Sequence, residues 1–189
     1  MRPLVVLFVS AALASAPFVT ACGSAVNSHV SVLPTAPFAR YRTFSFESGE
    51  GAPGGYKTSA ASAGIQSRMK PLITAALEKK GYSQAPGKGD FVIRFGSGRR
   101  DASVERHEPS PHLSSFMEED ETQDFVEGAL VIDAFDGSND GQIWHGSART
   151  EINPGHVDDA LLAKSVDEVL AKFPAAAGGA SASGAAPPQ

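Results

Sequence analysis

The residues whose types and spacing could bind a metal lie in the stretch "AFDGSNDGQIWHGSA". Asp136, Ser138 and Asp140 stand at alternate positions and Gly141 follows, as in the first half of an EF-hand calcium loop. The position that should supply a bidentate glutamate is Ser147, and both flanks alternate like strands rather than helices. Three residues tolerate the positive φ that hairpin turns need: Gly137, Asn139 and Gly141. The stretch therefore predicts a turn between two strands, with a weak, incomplete calcium site as the alternative.

The segment "ERHEPSPH" offers a second set of metal ligands or catalytic bases: His107, Glu108 and His112. Zinc proteases place two histidines four residues apart on one helix, with a glutamate between them. Here the histidines are five apart and two prolines separate them, which excludes that helix. We therefore expect residues 101–124 to form an exposed loop, in which "MEEDETQD" is a run of solvated carboxylates. The rival hypothesis is a metal-dependent or hydrolytic enzyme that uses this loop. It requires these three residues and Asp133 to converge within about 4–6 Å.

Asp133 lies within the otherwise apolar strand segment "ALVIDAF". A buried carboxylate is costly unless it is paired, so Arg94 or Arg149 on a neighbouring strand is its predicted partner. We favour this structural role over catalysis. Trp144 is predicted to pack in the core, because it alternates onto the face of small residues. The sequence contains no G-x-S-x-G nucleophile elbow, and it predicts no catalytic residue, no metal ligand and no cofactor. We do not expect an enzyme.

The charge balance excludes one class of partner. The 189-residue chain has a formal net charge of −5, and its lysines and arginines are not clustered. Binding to nucleic acid requires clustered basic side chains to neutralise phosphates, so no nucleic acid is expected as a partner.

The amino-terminal residues predict export. Arg2, an apolar run and small residues precede Cys22, which is the layout of a signal peptide over residues 1–21. A spanning helix needs about 20 strongly apolar residues, whereas polar residues and a proline interrupt this run. Cys22 is the single cysteine, and "VTAC" resembles a bacterial lipobox. The resemblance implies cleavage before Cys22, acylation of its thiol and membrane lipid as a partner. Gly23 rather than Asp follows, which favours the outer membrane, with the protein facing the periplasm.

The elements that must position these residues follow from hydrophobic periodicity. Strands are predicted at 41–47, 90–98, 125–136 and 142–152. Two helical stripes are predicted: Ile65, Met69, Leu72, Ile73, Ala76 and Leu77, and Leu162, Val166, Val169, Leu170 and Phe173. Pro71 should kink the first helix or lie near its start, and Gly81 should end it. The first two strands should be parallel neighbours, because a helix connects them. The expected fold is α+β (an α/β two-layer arrangement): a small mixed four-stranded sheet with two helices on one face, in the order β-α-β-β-β-α.

The same segments carry a family resemblance. "GALVIDAFDGSNDGQIWHGSA" resembles the signature of the domain-of-unknown-function family DUF4136, a group of exported bacterial lipoproteins. The matching residues are Leu130, Val131, Ile132, Asp133, Asp136, Trp144 and Gly146. Further matching segments are "YRTFSF", "LEKKGY", "DFVIRF" and "VDEVLAKFP". The resemblance implies a compact α/β lipoprotein domain and brings no established activity.

The domain organisation predicted from these features has four parts. Residues 1–21 are the signal peptide, 22–37 a lipidated tether, 38–174 the DUF4136-like domain, and 175–189 a disordered tail of Ala, Gly, Ser and Pro. The expected function is an envelope lipoprotein whose domain binds another envelope component, a protein or a cell-wall polymer. The alternatives are the enzyme described above and a purely structural lipoprotein.

Overall fold

The computed structural model describes residues 25–47, 51–58, 62–107, 120–153 and 156–177. Within them, the elements are β1 (Asn27–Val32), β2 (Thr43–Phe46), α1 (Ser62–Lys79), β3 (Ser83–Gln84), β4 (Phe91–His107), β5 (Asp120–Asp136), β6 (Gln142–Ile152) and α2 (Asp159–Ala171).

The strands form one mixed sheet in the order β1-β6-β5-β4-β2-β3. The first four strands in this order, β1, β6, β5 and β4, pair with one another in antiparallel fashion. β2 is parallel to both β4 and β3. The predicted parallel pairing of β2 with β4 across helix α1 is therefore confirmed.

Both helices pack on one face of the sheet, as predicted. α1 contributes Met69, Ile73 and Leu77 to a core that it shares with four residues of α2: Leu162, Val166, Val169 and Leu170. The sheet contributes alternate residues of its central strands: Phe91, Ile93, Phe95, Leu130, Ile132, Ala134, Trp144 and Ala148. This alternation fixes which side chains face the helices, because neighbouring residues on a strand point to opposite faces. We call the other side the open face.

The ends of α1 follow from its residues. The helix begins at Ser62 and continues through Pro71, so the proline lies inside it rather than near its start. Gly81 adopts a φ of 88°, and its N–H donates to the Glu78 carbonyl at 2.9 Å. This confirms Gly81 as the stop signal, because glycine adopts the left-handed conformation without a Cβ clash.

α2 begins after Asp158, whose carboxylate accepts a hydrogen bond from the Ala160 N–H at 3.2 Å. It ends at Ala171. Phe173 follows the helix and packs edge-on against Trp144, with 5.0 Å between ring centroids. Trp144 is 1% exposed, which confirms its predicted place in the core.

The sheet has six strands within the described residues, not the four that were predicted. The additional strands are β1 and β3, at the two edges. β1 lies inside the segment predicted as a tether over 22–37, where the sequence "NSHVSV" is mostly polar. β3 has two residues and no buried side chain. The general α+β class holds, and both omissions have the same cause: edge strands bury few apolar side chains.

The prediction of a loop over 101–124 was wrong for the part that the structure describes. β4 continues to His107 and β5 begins at Asp120, so each strand has 17 residues. Residues 101–107 pair with residues 120–126, and we call 101–107 together with 120–124 the hairpin arm. Its apolar residues are only Ala102 and Val104, and residues 120–124 are all polar, so periodicity did not indicate a pair of strands.

The carboxyl-terminal boundary lies slightly beyond the predicted one at 174. Ala176 is buried, and its N–H donates to the Lys80 carbonyl at 2.9 Å. The signal peptide, Cys22 and residues 178–189 of the predicted tail lie outside the described residues.

Candidate functional site

The stretch from Asp136 to Gly141 forms the turn between β5 and β6, as predicted. The Asp136 N–H donates to the Gly141 carbonyl at 2.8 Å, and the Asp140 N–H donates to the Asp136 carbonyl at 3.0 Å. The residue with positive φ is Asp140, at 55°, rather than any of the three predicted residues. Gly137 is required for a different reason: a Cβ there would lie 2.3 Å from the Gly89 carbonyl oxygen.

The carboxylate of Asp136 stabilises this turn. It accepts hydrogen bonds from the N–H and hydroxyl of Ser138, and from the Tyr41 hydroxyl of the segment before β2. These bonds, with the Ser138 hydroxyl first, lower the pKa of Asp136 from 3.8 to about 2. Burial, followed by the bond to Asp136, raises the pKa of Tyr41. Because these donors occupy both of its oxygens, the carboxylate acts as a structural acceptor here.

Asp133 lies on the open face and is 3% exposed. The prediction that Arg94 or Arg149 pairs with it was wrong. Gln142 donates to Oδ1 of Asp133 at 2.6 Å, and Nδ1 of His145 lies 2.6 Å from the same oxygen. Arg94 instead pairs with Glu47, with 2.6 Å between the closest atoms.

The sequence analysis missed both partners of Asp133, because their positions depend on the register of the β5–β6 hairpin. The turn at 136–141 places Asp133 directly opposite His145 across the β5–β6 ladder. A bulge beside Ala134 then aligns Phe135 with Gln142. Counting outwards from the turn without this bulge would have placed Trp144 opposite Asp133, so the one-residue shift hid His145.

In catalytic triads, an aspartate orients the histidine that acts as the general base, and Asp133 and His145 have this arrangement. Because a carboxylate only accepts hydrogen bonds, Nδ1 of His145 donates to Asp133 and leaves Nε2 for another partner. Among the described residues, no serine or cysteine is hydrogen-bonded to His145. The arrangement therefore holds the imidazole in place without supplying a nucleophile.

His107 of the predicted enzyme loop lies far from this pair. Asp133 faces Arg94 in the β4–β5 register, and His107 is thirteen residues further along β4. At about 3.3 Å per residue, that separation is roughly 40 Å. The required convergence of His107 with Asp133 therefore fails, and Glu108 and His112 lie outside the described residues. No group of three metal-ligating side chains occurs in the part of the chain that the structure describes.

A cavity of about 220 Å³ lies between the sheet and the amino-terminal turns of both helices. We call it the interhelix cavity. Its apolar walls are formed by Ile65, Leu130, Ile152, Val157, Leu161 and Leu162. Its polar lining is formed by Ser62, Arg68, Ser97, Arg99, Thr150, His156 and Ser165. No aspartate or glutamate is among the described residues that line it.

Ser97 differs from the other hydroxyl groups of the core. It lines the interhelix cavity, is 4% exposed, and its Oγ has no hydrogen-bond partner among the described residues. Sequence reasoning missed it, because Ser97 stands near the end of the predicted strand over 90–98, where a serine carries no distinctive signal. A buried hydroxyl without a partner costs about 1–3 kcal/mol, so this position requires an explanation.

The amino terminus enters the domain beside this cavity. Oγ1 of Thr150 donates to the carbonyl of Ala25 at 3.1 Å. β1 then runs antiparallel to β6, with Asn27 opposite Arg149. The hairpin arm extends beyond the same end of the sheet, because the last pair of the β5–β6 ladder joins Val126 and Ile152. The cavity, the arm and the entering chain therefore share one end of the domain.

A family comparison identifies this architecture. The family model described as "Domain of unknown function (DUF4136)" matches residues 29–175. The chain belongs to the DUF4136 family. No curated protein matches it.

Solved structures include another DUF4136 protein, from Bacteroides thetaiotaomicron, with 12% identity and a TM-score of 0.49. It is matched over 77% of this chain and 94% of that one. A PDZ domain protein from Parabacteroides distasonis has 13% identity and a TM-score of 0.52 over 80% of this chain, which spans 36% of that protein. The PelC dodecamer from Paraburkholderia phytofirmans has 9% identity and a TM-score of 0.46, over 77% of this chain and 95% of that one. At 13% identity, the likeness to the Parabacteroides protein shows the fold alone.

The DUF4136 motif around Trp144 has a packing role. Gly146 lies two residues further along β6, and a Cβ there would lie 2.2 Å from the Trp144 ring and 2.5 Å from the Val169 side chain. A glycine is therefore required where the indole packs under α2. Among the described residues, no helix is both long and apolar enough to cross a membrane.

Proposed function

We propose that this DUF4136 protein is a lipid-anchored protein of the bacterial cell envelope whose domain binds a partner protein through its hairpin arm. Acylated Cys22 supplies the anchor, with the outer membrane as its site and the periplasm as the compartment that the domain faces. The domain is a binding or scaffold module rather than an enzyme. The lipobox-like "VTAC" and the preceding leader support the anchor.

The observation that carries the binding role is the exposure of the arm on both faces. Its exposed side chains are Asp101, Ser103, Val104, Glu105, Thr122, Gln123 and Asp124. An isolated two-stranded ladder is marginally stable in water, because it has no layer to bury. A partner that covers the arm would supply that layer, so the arm is suited to recognition by a second surface.

The charge of the arm indicates the chemistry of the partner. Residues 101–107 and 120–124 carry a formal charge of −4, from five carboxylates and one arginine, in a chain whose net charge is −5. Val104, at 43% exposure, adds an apolar contact. A protein surface with basic residues around an apolar depression complements both features. A cell-wall polymer rich in carboxylates would be repelled, which favours a protein over the polymer as partner.

The anchor and the arm are compatible in space. Cys22 is three residues from Ala25, so an acylated Cys22 would lie within about 11 Å of the end of the sheet from which the arm extends. The arm would then be held close to the membrane. A partner protein at or in the same membrane would meet it there.

Site-specific photo-crosslinking in cells of the native host tests the binding role. A photoreactive residue at Val104 should give a discrete adduct, whereas one at exposed Glu78, near the far end of α1, should give none. With the photoreactive residue moved to Thr122, the added substitution Val104→Glu should reduce the adduct at least fivefold. Equal labelling from Val104 and Glu78, or from neither position, would contradict the binding role of the arm.

The anchor is tested separately by the intact mass of the mature protein isolated from membranes. We expect a chain that begins at Cys22 and carries the added mass of its acyl groups. The Cys22→Ser variant should leave the membrane fraction, and an unmodified thiol in the native protein would refute the anchor while leaving the arm experiment unaffected.

A further inference from the structure

We propose that the interhelix cavity binds a single acyl chain that ends in an anionic group. Its size is the first argument. The cavity is partly open to solvent and has a volume of about 220 Å³. An apolar cavity of about 150 Å³ accepts benzene, so on the same scale this one accepts roughly nine carbon atoms.

The apolar walls of the cavity favour a ligand with a hydrocarbon chain. Ile65 of α1 and Leu161 of α2 approach from the helix layer, and Leu130 and Ile152 line the side formed by the sheet. Since both helices line this space with their amino-terminal turns, a chain can lie between them along the sheet. Apolar walls on both sides favour a flexible hydrocarbon over a polar solute.

The polar lining selects a negative charge. Two arginines and a histidine line the cavity, and none of the described lining residues is acidic, although the chain as a whole is acidic. Arg68 is paired with Asp159. Arg99 lies on the same strand face as Ser97, is exposed, and has no ion pair among the described residues. α1 begins at Ser62 and α2 begins at Asp159, close to the lining residue Val157. The partly positive amino ends of both helices therefore also lie beside the cavity.

Ser97 provides an independent indication of a ligand. Ser97 lines the cavity, and its hydroxyl is buried without a hydrogen-bond partner among the described residues. A rotation of this side chain towards the cavity would give the hydroxyl an acceptor in a carboxylate or phosphate oxygen held by Arg99, two residues away on the same face of β4. The head group would then lie between Ser97 and Arg99, with the hydrocarbon between the helices.

The position of the cavity agrees with a lipid as the source of the ligand, a step that rests on the proposed anchor. The cavity lies at the end of the domain where Ala25 enters beside Thr150. A domain anchored at Cys22 would keep this end near the membrane. Free fatty acids and anionic lysophospholipids share the required chemistry of one acyl chain and one anionic head.

Calorimetric titration of the full chain carrying Cys22→Ser tests the site without depending on the anchor. We expect saturable 1:1 binding of decanoate below its micellar concentration. Arg99→Gln should weaken decanoate about fivefold, the upper range for an exposed charge pair, and leave binding of uncharged decanol unchanged. Arg149→Gln is the matched control, because Arg149 is exposed on the open face, and it should have no effect.

Ile65→Trp should abolish binding of both ligands by filling the cavity, provided that its denaturation midpoint confirms folding. Absent saturable binding, or binding that survives Ile65→Trp in the folded protein, would overturn the site. If Arg99→Gln and Arg149→Gln act equally, or decanol binds as tightly as decanoate, the anionic head is refuted even if Ile65→Trp does not fold. Displacement of decanoate by a decanoyl lysophospholipid would identify a lipid head group as acceptable, and failure to displace it would assign the site to free fatty acids.

Discussion

At the scale of single residues, Gly146 explains why small and large residues alternate along β6. We expect Gly146→Ala to destabilise the domain by about 2–3 kcal/mol, because the new methyl group would overlap the Trp144 ring and the Val169 side chain. Urea denaturation measures this. Gly64→Ala in α1 is the control: a Cβ there meets nothing within 4 Å, and alanine favours the helix by up to about 1 kcal/mol. Equal midpoints for the two variants would refute the packing role.

Asp136 gives the domain a specific dependence on acid. Its pKa is lowered from 3.8 to about 2, so its contribution is complete above pH 4 and is lost as the pH falls through 2. The loss amounts to at most about 2 kcal/mol. Asp136→Asn should be less stable than the wild type at pH 6, and the difference should shrink between pH 4 and pH 2. Asp140→Asn removes the same charge from the same turn and should not reproduce this convergence.

The hydrogen bonds of Asp136 and Asp133 were partly predictable from the sequence. The pattern of Asp, Asn and Gly indicated a hairpin turn, because Asp and Asn side chains bond to the nearby backbone and glycine tolerates positive φ. The structure confirms the turn. The partners of Asp133 were not found, because Gln142 and His145 come close to it only once the turn and the bulge set the register. Local residue types predict a local turn, whereas a pairing across strands depends on a one-residue register that composition does not contain.

At the scale of elements, α2 depends on its cap. Asp158→Ala should cost about 1 kcal/mol, because the Ala160 N–H would lose its acceptor at the helix start. Asp159→Ala is the matched control in the next position: its ion pair with Arg68 is exposed and should contribute less than about 0.5 kcal/mol. Thermal denaturation of both variants separates the effect of capping from that of charge. Equal losses of stability would show that the net charge of the first turn matters instead.

The elements that the sequence predicted are those with one apolar face. Both helices and the four inner strand segments bury regular stripes, so their period of 3.6 or 2 was visible. β1 exposes most of its side chains and β3 exposes both, so neither leaves such a pattern. The outer parts of β4 and β5 were not predicted as strands for the same reason, because their side chains are mostly exposed. Hydrogen bonding to a neighbour forms these strands, and the backbone donors that provide it are common to all residues.

At the scale of the whole molecule, one end of the domain differs from the other. The end with the β5–β6 turn is closed by aromatic rings, among which Tyr41, Phe91 and Phe173 pack against their neighbours. The opposite end contains the interhelix cavity, the incoming amino terminus and the base of the arm. The proposed anchor, ligand and partner all belong to this end, so the hypothesis assigns stability to one end of the fold and recognition to the other.

This asymmetry predicts a gradient of hydrogen exchange along a single pair of strands. Amides at the centre of β4, from Phe91 to Ser97, should exchange only with global unfolding, because the helices cover them. Amides of the arm, 101–107 and 120–124, should exchange at least a hundredfold faster through local opening, since neither of the described helices covers that ladder. Mass-resolved exchange of the purified Cys22→Ser chain at low micromolar concentration measures both. Addition of the partner identified by crosslinking should slow exchange in the arm without changing the centre. If the arm is already as protected as the centre, and dilution of the chain removes that protection, a second copy covers the arm and the partner is the protein itself.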